Sequence, residues 1–125
     1  MPDRPVISLM GDGGLGMTMS EISTAVEHGI HTLTVVINNT CWGAEKAYQR
    51  DFFHGRYIGA DVSSPAFDQP AELYGARGFR ADTLDQITEA IEAALACGKL
   101  AVVDVAVDPT APYSFRRDSF KQRVG

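Results

Sequence analysis

The sequence predicts an α/β fold, a three-layer open parallel sheet with helices on both faces. Short apolar runs that are typical of buried strands alternate with amphipathic segments that are typical of helices, and the resulting order, βα-β-(α)-αβ-αβ, is that of an open parallel sheet. The chain has 125 residues, of which 45% are hydrophobic and 22% are charged. This composition suits one globular domain with a core of its own.

The first half of the chain predicts a strand–helix–strand unit. Residues 5–10 form an apolar run that stops at glycines, which predicts a buried parallel strand. Thr18 and Glu21 have the spacing of a capping box, which predicts a helix that Gly29 closes. The β-branched run at residues 32–37 predicts the second strand. Such a crossover is right-handed and places ligands at the carboxyl ends of the strands.

The middle of the chain gives a weaker pattern. Between residues 40 and 65 the hydrophobic period is blurred, although residues 44–52 predict one helix. Asp68 is placed to cap a short helix over residues 70–74, and residues 78–81 have the composition of a brief strand.

The last helix and strand are predicted more clearly. Thr83 and Gln86 repeat the capping box before a one-sided apolar stripe that ends at Gly98, which predicts a helix. Residues 100–107 predict the last buried strand. We therefore expect a domain over residues 1–108 and a basic C-terminal tail over residues 109–125.

The charge balance limits the classes of partner. A net charge of -5 argues against a general nucleic-acid binder and against a binder of anionic membranes. No apolar run approaches the roughly 18 residues of a membrane span, and no signal peptide is apparent after Met1. Cys41 and Cys97 lack the spacing of a metal finger, so we expect two reduced thiols. We expect a cytoplasmic protein with no nucleic-acid or membrane partner.

The glycine loop after the first strand matches G-x-G-x-x-G at Gly11, Gly13 and Gly16. One hypothesis is therefore a non-catalytic regulatory domain that binds a dinucleotide through these glycines. That site requires an acidic residue at the end of the second strand to hold the ribose hydroxyls. The second strand instead ends at Asn38 and Asn39, and the hypothesis leaves the acidic residue inside the loop unexplained.

That acidic residue, Asp12, predicts a metal ion. A carboxylate beside amides that bind a diphosphate would repel the ligand unless a divalent cation lay between them, and Mg²⁺ takes carboxylate, amide and phosphate oxygens. Because adjacent parallel strands bring their carboxyl ends together, Asp12 and Asn39 are placed to bind one Mg²⁺ ion. The amides of Gly13 and Gly14 would then hold the diphosphate of the ligand.

Gly-Asp-Gly at residues 11–13, followed by Asn-Asn at residues 38–39, resembles the diphosphate-binding motif of thiamine-diphosphate enzymes. The resemblance spans almost the whole chain, and the paired motif is far more specific than either half. It implies thiamine diphosphate and Mg²⁺ as cofactors. The residues that it assigns to the metal are Asp12, the Asn39 side chain and the backbone carbonyl of Cys41, and those that it assigns to cofactor binding are Gly11, Asp12, Gly13, Gly14, Asn39 and Cys41.

Within that superfamily, residues 38–46 and 115–118 look most like the sulfoacetaldehyde acetyltransferase family. Members of that family cleave sulfoacetaldehyde with phosphate to give acetyl phosphate and sulfite. They usually carry Gly-Gln where this chain has Thr40 and Cys41, a departure that changes side chains and not the carbonyl ligand. The alternatives within the class are an acetolactate-synthase-like enzyme and a 2-oxoacid decarboxylase.

The resemblance also implies a partner. In enzymes of this kind a glutamate on a separate pyrimidine-binding domain activates the cofactor, and this chain has no place for that domain. We expect a domain truncated at its N-terminal side, which is a piece of a longer chain or the small subunit of a split enzyme. The pyrimidine-binding domain would lie in the same or a neighbouring subunit of a homodimer or homotetramer, and this chain alone would be inactive.

Four further residues are candidates for chemistry. Glu45 lies where the superfamily places residues that face the reacting carbon, so it is a candidate general acid or base; alternatively, it is a solvated glutamate at a helix N-terminus. Trp42 is placed to wall a substrate pocket or to pack in the core. Arg116 and Arg117 offer planar forks that match phosphate or sulfonate oxygens, although a basic tail is often only solvated.

Overall fold

The computed structural model describes residues 4–111. Its four strands are all parallel and form one sheet in the order β1-β2-β4-β3. The elements in chain order are β1 Ile7–Gly11, α1 Asp12–Thr18, α2 Glu21–Glu27, β2 Leu33–Asn38, α3 Gly43–Phe52, α4 Asp68–Leu73, β3 Arg77–Ala81, α5 Leu84–Ala96 and β4 Ala101–Ala106.

Two apolar clusters lie on opposite faces of the sheet. Because successive side chains of a strand point to opposite faces, Val35 of β2 packs in one cluster and Val36 in the other. One cluster includes Ala90 and Ala94 of α5, and the other includes Ile22 of α2. The predicted α/β fold, with helices on both faces of a parallel sheet, is confirmed.

Strand β1 differs from its prediction as a buried strand. It lies at the edge of the sheet, with β2 as its only neighbouring strand among the described residues. Ile7 and Leu9, which alternate onto one face, are 53% and 71% exposed. An apolar run indicates a strand but does not fix its place in the sheet, and here α5 packs against β3 and β4 instead.

The capping box predicted at Thr18 is wrong. The glycine loop is itself helical, so Thr18 is the last residue of α1, and its hydroxyl donates to the carbonyl of Gly14 at 3.3 Å. Helix α2 begins at Glu21 without a side-chain cap. Its predicted end is confirmed, because Gly29 adopts a φ of 60° and the Ile30 amide bonds back to the Ala25 carbonyl at 2.9 Å.

The later elements follow their predictions more closely. The Thr83 hydroxyl accepts from the Gln86 amide at 3.3 Å, so Thr83 caps α5 as predicted. The Gln86 side chain reaches back one residue further than in a capping box and accepts from the Asp82 amide at 2.8 Å. Asp68 is the exception, because it is the first residue of α4 and no side chain caps that helix. No helix within residues 4–111 is long and apolar enough to cross a membrane.

Candidate metal and diphosphate site

One cavity, of about 360 Å³, lies at the carboxyl ends of β1 and β2. The carboxyl ends of parallel strands are the usual place for a ligand in an open α/β sheet. The cavity brings together every site residue that was predicted within the described part of the chain. These lining residues are Gly11, Asp12, Gly13, Gly14, Asn39, Cys41, Trp42 and Glu45.

The glycine loop forms the first turn of α1. The first amides of a helix have no partner within it, and no side chain caps this one, so the amides of Gly13 and Gly14 remain available to a ligand. Gly13 is required by a close approach: a Cβ atom there would lie 2.7 Å from Cζ3 of Trp42. The indole therefore lies directly against the glycine loop, at the wall of the cavity.

Asp12 is a buried carboxylate without a basic partner among the described residues. Its side chain is 2% exposed, and Oδ2 accepts a hydrogen bond of 2.5 Å from the Ser64 hydroxyl. No lysine, arginine or histidine of residues 4–111 forms a salt bridge with it. A buried carboxylate is costly unless it is paired or binds a metal, so this one is suited to a cation.

Two consecutive turns shape the end of β2. The Thr40 amide donates to Oδ1 of Asn38, and the Cys41 amide donates to Oδ1 of Asn39, each at 3.3 Å. Thr40 adopts a φ of 53°, which closes the first turn. A Cβ atom at residue 43 would lie 2.8 Å from Nδ2 of Asn39, so a larger residue in place of Gly43 would make the Asn39 side chain shift.

The Cys41 thiol is poorly suited to bind a metal, which leaves the backbone carbonyl as the group that this residue can offer. The residue is 2% exposed, and burial raises the pKa of the thiol, although Lys46 opposes this. The thiol therefore stays neutral at neutral pH, and a neutral thiol is a poor metal ligand. The loop is fixed by antiparallel pairing, because the Trp42 amide donates to the Ala60 carbonyl at 2.8 Å and the Val62 amide donates to the Thr40 carbonyl at 3.0 Å.

Glu45 lies in the first turn of α3 and lines the cavity with Asp12 and Asn39. The next residue, Lys46, pairs with Asp61 at 2.5 Å, and this hydrogen bond raises the pKa of the ammonium.

The predicted phosphate subsite at Arg116 and Arg117 lies outside the residues that the structure describes.

The donor set fits a hard cation. Among the described residues, no group of three or more histidine, cysteine, aspartate or glutamate side chains is placed to hold a metal. Asp12, Asn39 and Cys41, which carry a carboxylate, a side-chain amide and a backbone carbonyl, do line a common cavity, and Mg²⁺ usually completes such a partial shell with water and substrate phosphates. A metal held by these residues would need further ligands, and the oxygens of a diphosphate would supply them.

A different cavity, of about 330 Å³, lies at the amino ends of the strands and is lined in part by Arg4, His31 and Lys99. These three side chains belong to exposed residues. We assign function to the carboxyl edge instead, because the glycine loop, the buried carboxylate and the asparagine turns meet only there among the described residues.

Sequence reasoning missed Ser64, Asp104 and the role of Asn38. Nδ2 of Asn38 donates both to Oδ1 of Asp104 at 2.9 Å and to the Pro65 carbonyl at 2.8 Å. Asp104 is fully buried within β4, and its burial raises the pKa of the carboxyl. A charged residue inside an apolar strand was a signal in the sequence, whereas nothing in the blurred segment marked Ser64.

A parallel sheet with a glycine loop and an asparagine turn at one cavity defines an α/β domain that binds a diphosphate cofactor. Residues 1–105 match the family described as thiamine pyrophosphate enzyme, C-terminal TPP binding domain, and the chain belongs to this family. The predicted cofactor class is confirmed, and the alternative of a dinucleotide-binding regulatory domain is set aside.

The chain is similar to named enzymes of this family. The chain is 37% identical over 127 residues to a sulfoacetaldehyde acetyltransferase of Alcaligenes xylosoxydans xylosoxydans, an alignment that covers 98% of this chain and 21% of the relative. It is 33% identical over 109 residues to the acetolactate synthase large subunit of Haemophilus influenzae, covering 86% of this chain and 19% of that subunit. The chain thus spans about a fifth of the length of these curated relatives.

A solved structure shares the fold. The thiamine diphosphate-dependent 4-hydroxybenzoylformate decarboxylase of Rhodococcus jostii superposes with a TM-score of 0.79 at 31% identity. The superposition covers 86% of this chain and 20% of the decarboxylase. The predicted resemblance to the sulfoacetaldehyde acetyltransferase family, with acetolactate synthases and decarboxylases as its neighbours, is therefore confirmed as a similarity.

Proposed function

We propose that the domain binds thiamine diphosphate through Mg²⁺, with Asp12, the Asn39 side chain and the Cys41 carbonyl as the protein's ligands to the metal. The observation that carries this proposal is the Asp12 carboxylate, which is 2% exposed and has no basic partner among residues 4–111. A divalent cation would compensate that buried charge and would also neutralise the diphosphate beside it.

In this proposal the glycine loop binds the diphosphate. Gly11 ends β1 and lets the chain turn directly into α1, so the amides of Gly13 and Gly14 point their hydrogens toward an anion at the helix N-terminus. When bound, thiamine diphosphate supplies a nucleophilic thiazolium carbon that attacks carbonyl groups. The chain positions that cofactor and excludes water from it, and Trp42 serves as one wall of the pocket.

Glu45 is our candidate for moving protons in this pocket. It lines the same cavity as the proposed metal ligands, so a carboxylate is held at the cofactor side of α3. A glutamate at this place can donate a proton to, or accept one from, a substrate oxygen or carbon bound at the cofactor.

We further propose that the protein is a sulfoacetaldehyde acetyltransferase, which converts sulfoacetaldehyde and phosphate to acetyl phosphate and sulfite. The identity to relatives of that name supports this substrate, with an acetolactate synthase-like or 2-oxoacid decarboxylase activity as the alternative. Arg116 and Arg117 would bind the phosphate, because a guanidinium fork matches two of its oxygens. Separate measurements of sulfite and acetyl phosphate distinguish this reaction from decarboxylation, which yields neither product.

The domain would work with a pyrimidine-binding domain, on the same chain or on a neighbouring subunit of a homodimer or homotetramer. The length of the relatives supports this arrangement, since this chain spans about a fifth of each. We also propose a cytoplasmic location for the protein.

Calorimetric titration of thiamine diphosphate, with Mg²⁺ and then with EDTA, tests the metal proposal. We expect binding only with the metal, because the Asp12 carboxylate would otherwise face the diphosphate. Asp12→Ala and Asn39→Ala should each weaken binding more than tenfold, since a charge-assisted interaction is worth roughly 1.5 to 3 kcal/mol. Binding that survives chelation, or two variants with unchanged affinity, would overturn the proposal.

A further inference from the structure

The loop that precedes α4 is hydrogen-bonded to the chain at the ends of β1 and β2, the two strands that the proposed metal ligands follow. In this loop, the Ser64 hydroxyl donates a hydrogen bond to Oδ2 of Asp12 at 2.5 Å. The carbonyl of the next residue, Pro65, accepts a hydrogen bond from Nδ2 of Asn38 at 2.8 Å. The two bonds join parts of the chain 52 and 27 positions apart, and neither belongs to the regular pairing of the sheet.

The loop is in turn held from two sides. Nδ2 of Asn38 also donates to Oδ1 of Asp104 at 2.9 Å, and Asp104 is fully buried in the central strand β4. Upstream, the Val62 amide donates to the Thr40 carbonyl at 3.0 Å. Because hydrogen bonds at Val62 and at Pro65 fix the backbone on both sides of Ser64, the Ser64 hydroxyl is held in a fixed position relative to Asp12.

Asp12 lines two cavities, the candidate site and a second one of about 370 Å³, which is lined by Ser64 and by apolar residues such as Met17 and Phe67. Loss of the bond to Ser64 would therefore leave the Asp12 side chain free to turn toward the second cavity. A carboxylate has two oxygens, so a hydroxyl that holds Oδ2 leaves Oδ1 able to bind a cation. Hydrogen bonds of this kind to a metal ligand orient it and commonly change metal affinity by 10 to 100-fold.

We propose that Ser64 is a positioning residue for the metal: its hydroxyl holds the Asp12 carboxylate in the orientation that binds the cation, and the Asn38–Asp104 hydrogen bond anchors the loop that presents it. This inference rests on the proposed function, since it concerns the same Mg²⁺. It assigns a role to a serine outside the glycine loop and the asparagine turn.

The test measures metal affinity and not turnover. Mn²⁺ is titrated into the full chain at a fixed concentration of thiamine diphosphate, and the electron paramagnetic resonance signal of free Mn²⁺ reports binding. Ser64→Ala should weaken Mn²⁺ binding about 10 to 100-fold. Ser64→Thr, which keeps the hydroxyl, should restore most of the affinity. Ser63→Ala is the matched control, because it removes an exposed hydroxyl from the neighbouring residue, and it should bind as the unaltered chain does.

The free energy of unfolding in EDTA separates positioning from a structural role. We expect Ser64→Ala to lose metal affinity while the metal-free protein stays about as stable as the unaltered chain. A loss of affinity matched by an equal loss of stability would overturn the inference. So would a Ser64→Thr variant as weak as Ser64→Ala, since the hydroxyl would then not be the group responsible.

Asp12→Ala distinguishes the inference from the proposed function. If Asp12→Ala loses Mn²⁺ binding and Ser64→Ala does not, the metal site stands and the positioning role is wrong. If Asp12→Ala binds Mn²⁺ as tightly as the unaltered chain, the proposed metal site is wrong and the inference falls with it.

Discussion

The amino-terminal and carboxyl-terminal ends of the sheet differ in what they bury. At the amino ends, Leu33 and Ala101 are apolar and at most 3% exposed. All the buried polar side chains of residues 4–111 lie in the carboxyl halves of the strands or directly after them; these are Asp12, Asn38 and Asp104. Burying apolar surface stabilises a fold, whereas burying a carboxylate costs free energy unless partners compensate it. We therefore expect the amino ends of the sheet to contribute mainly to stability and the residues at the carboxyl ends to contribute mainly to ligand binding.

This comparison predicts that substitutions at the two ends change different measurable quantities. A change at the amino ends should lower the free energy of unfolding without changing metal affinity. A change among the residues that line the cavity at the carboxyl ends should alter binding or turnover and leave stability nearly constant.

The largest effect is expected at Glu45, which lines the candidate site. Glu45→Gln keeps the size of the side chain but removes its proton transfer, so turnover should fall roughly 10² to 10⁴-fold while cofactor affinity and stability stay near those of the unaltered protein. Steady-state kinetics of the assembled enzyme, with calorimetry of thiamine diphosphate binding, measure both quantities. An unchanged turnover would make Glu45 a solvated residue of the first turn of α3.

At the other end of the sheet, Leu33→Ala should act on stability alone. Leu33 is 3% exposed and packs in the cluster beneath α5, so its truncation should cost roughly 2 to 5 kcal/mol of the free energy of unfolding. It lies five residues before Asn38 on β2, or about 16 Å at the rise of a strand. Urea unfolding measures the stability of the variant, and a Mn²⁺ titration of the folded variant should give an unchanged affinity.

Leu84→Ala is the control for that variant, because Leu84 is also a leucine but is 82% exposed. We expect its free energy of unfolding to change by no more than about 0.5 kcal/mol. The separation of the two ends would be refuted by a Leu33→Ala variant that, while still folded, binds Mn²⁺ much more weakly.

Most of the fold was predictable because it follows from local patterns. The β-branched run of β2 and the helix cap at Thr83 each lie within one short segment, and both are present. The place of β1 at the sheet edge was not predictable, because strand order depends on which helices cover which strands. The capping box at Thr18 was predicted wrongly for a different reason: Thr18 is the last residue of the helix that the glycine loop forms, and Glu21 begins the next helix.

The residues of the candidate site also differ in whether the sequence could predict them. Asp12 and Asn39 were predictable, because each directly follows a strand and parallel strands bring such residues to one edge. Ser64 was not, since its contact with Asp12 joins residues 52 positions apart through a segment without periodicity. The pairing of Asn38 with Asp104, 66 positions apart, likewise depends on β2 and β4 being neighbours in the sheet.

The smallest effect is expected at Asp104, where the contribution to the free energy of unfolding should depend on pH. Burial raises the pKa of this carboxyl, and the nearby charge of Asp68 raises it further, whereas hydrogen bonds from Asn38 and the Phe67 backbone and the charge of Arg80 oppose the shift. Oδ2 has no hydrogen-bond partner among the described residues.

A raised pKa means that the folded state holds a proton at pH values where the unfolded state has released it. Between the ordinary pKa of an aspartate and the raised one, the free energy of unfolding contributed by Asp104 therefore falls as pH rises, and the penalty is complete above the raised pKa. Asp104→Asn keeps an oxygen to accept from Asn38 but cannot ionise. The stability of this variant relative to the unaltered chain should accordingly increase as pH rises through that window and then stay constant. Urea unfolding of both proteins across acidic to neutral pH measures the difference, and a difference that does not vary with pH would show that Asp104 does not titrate in this range.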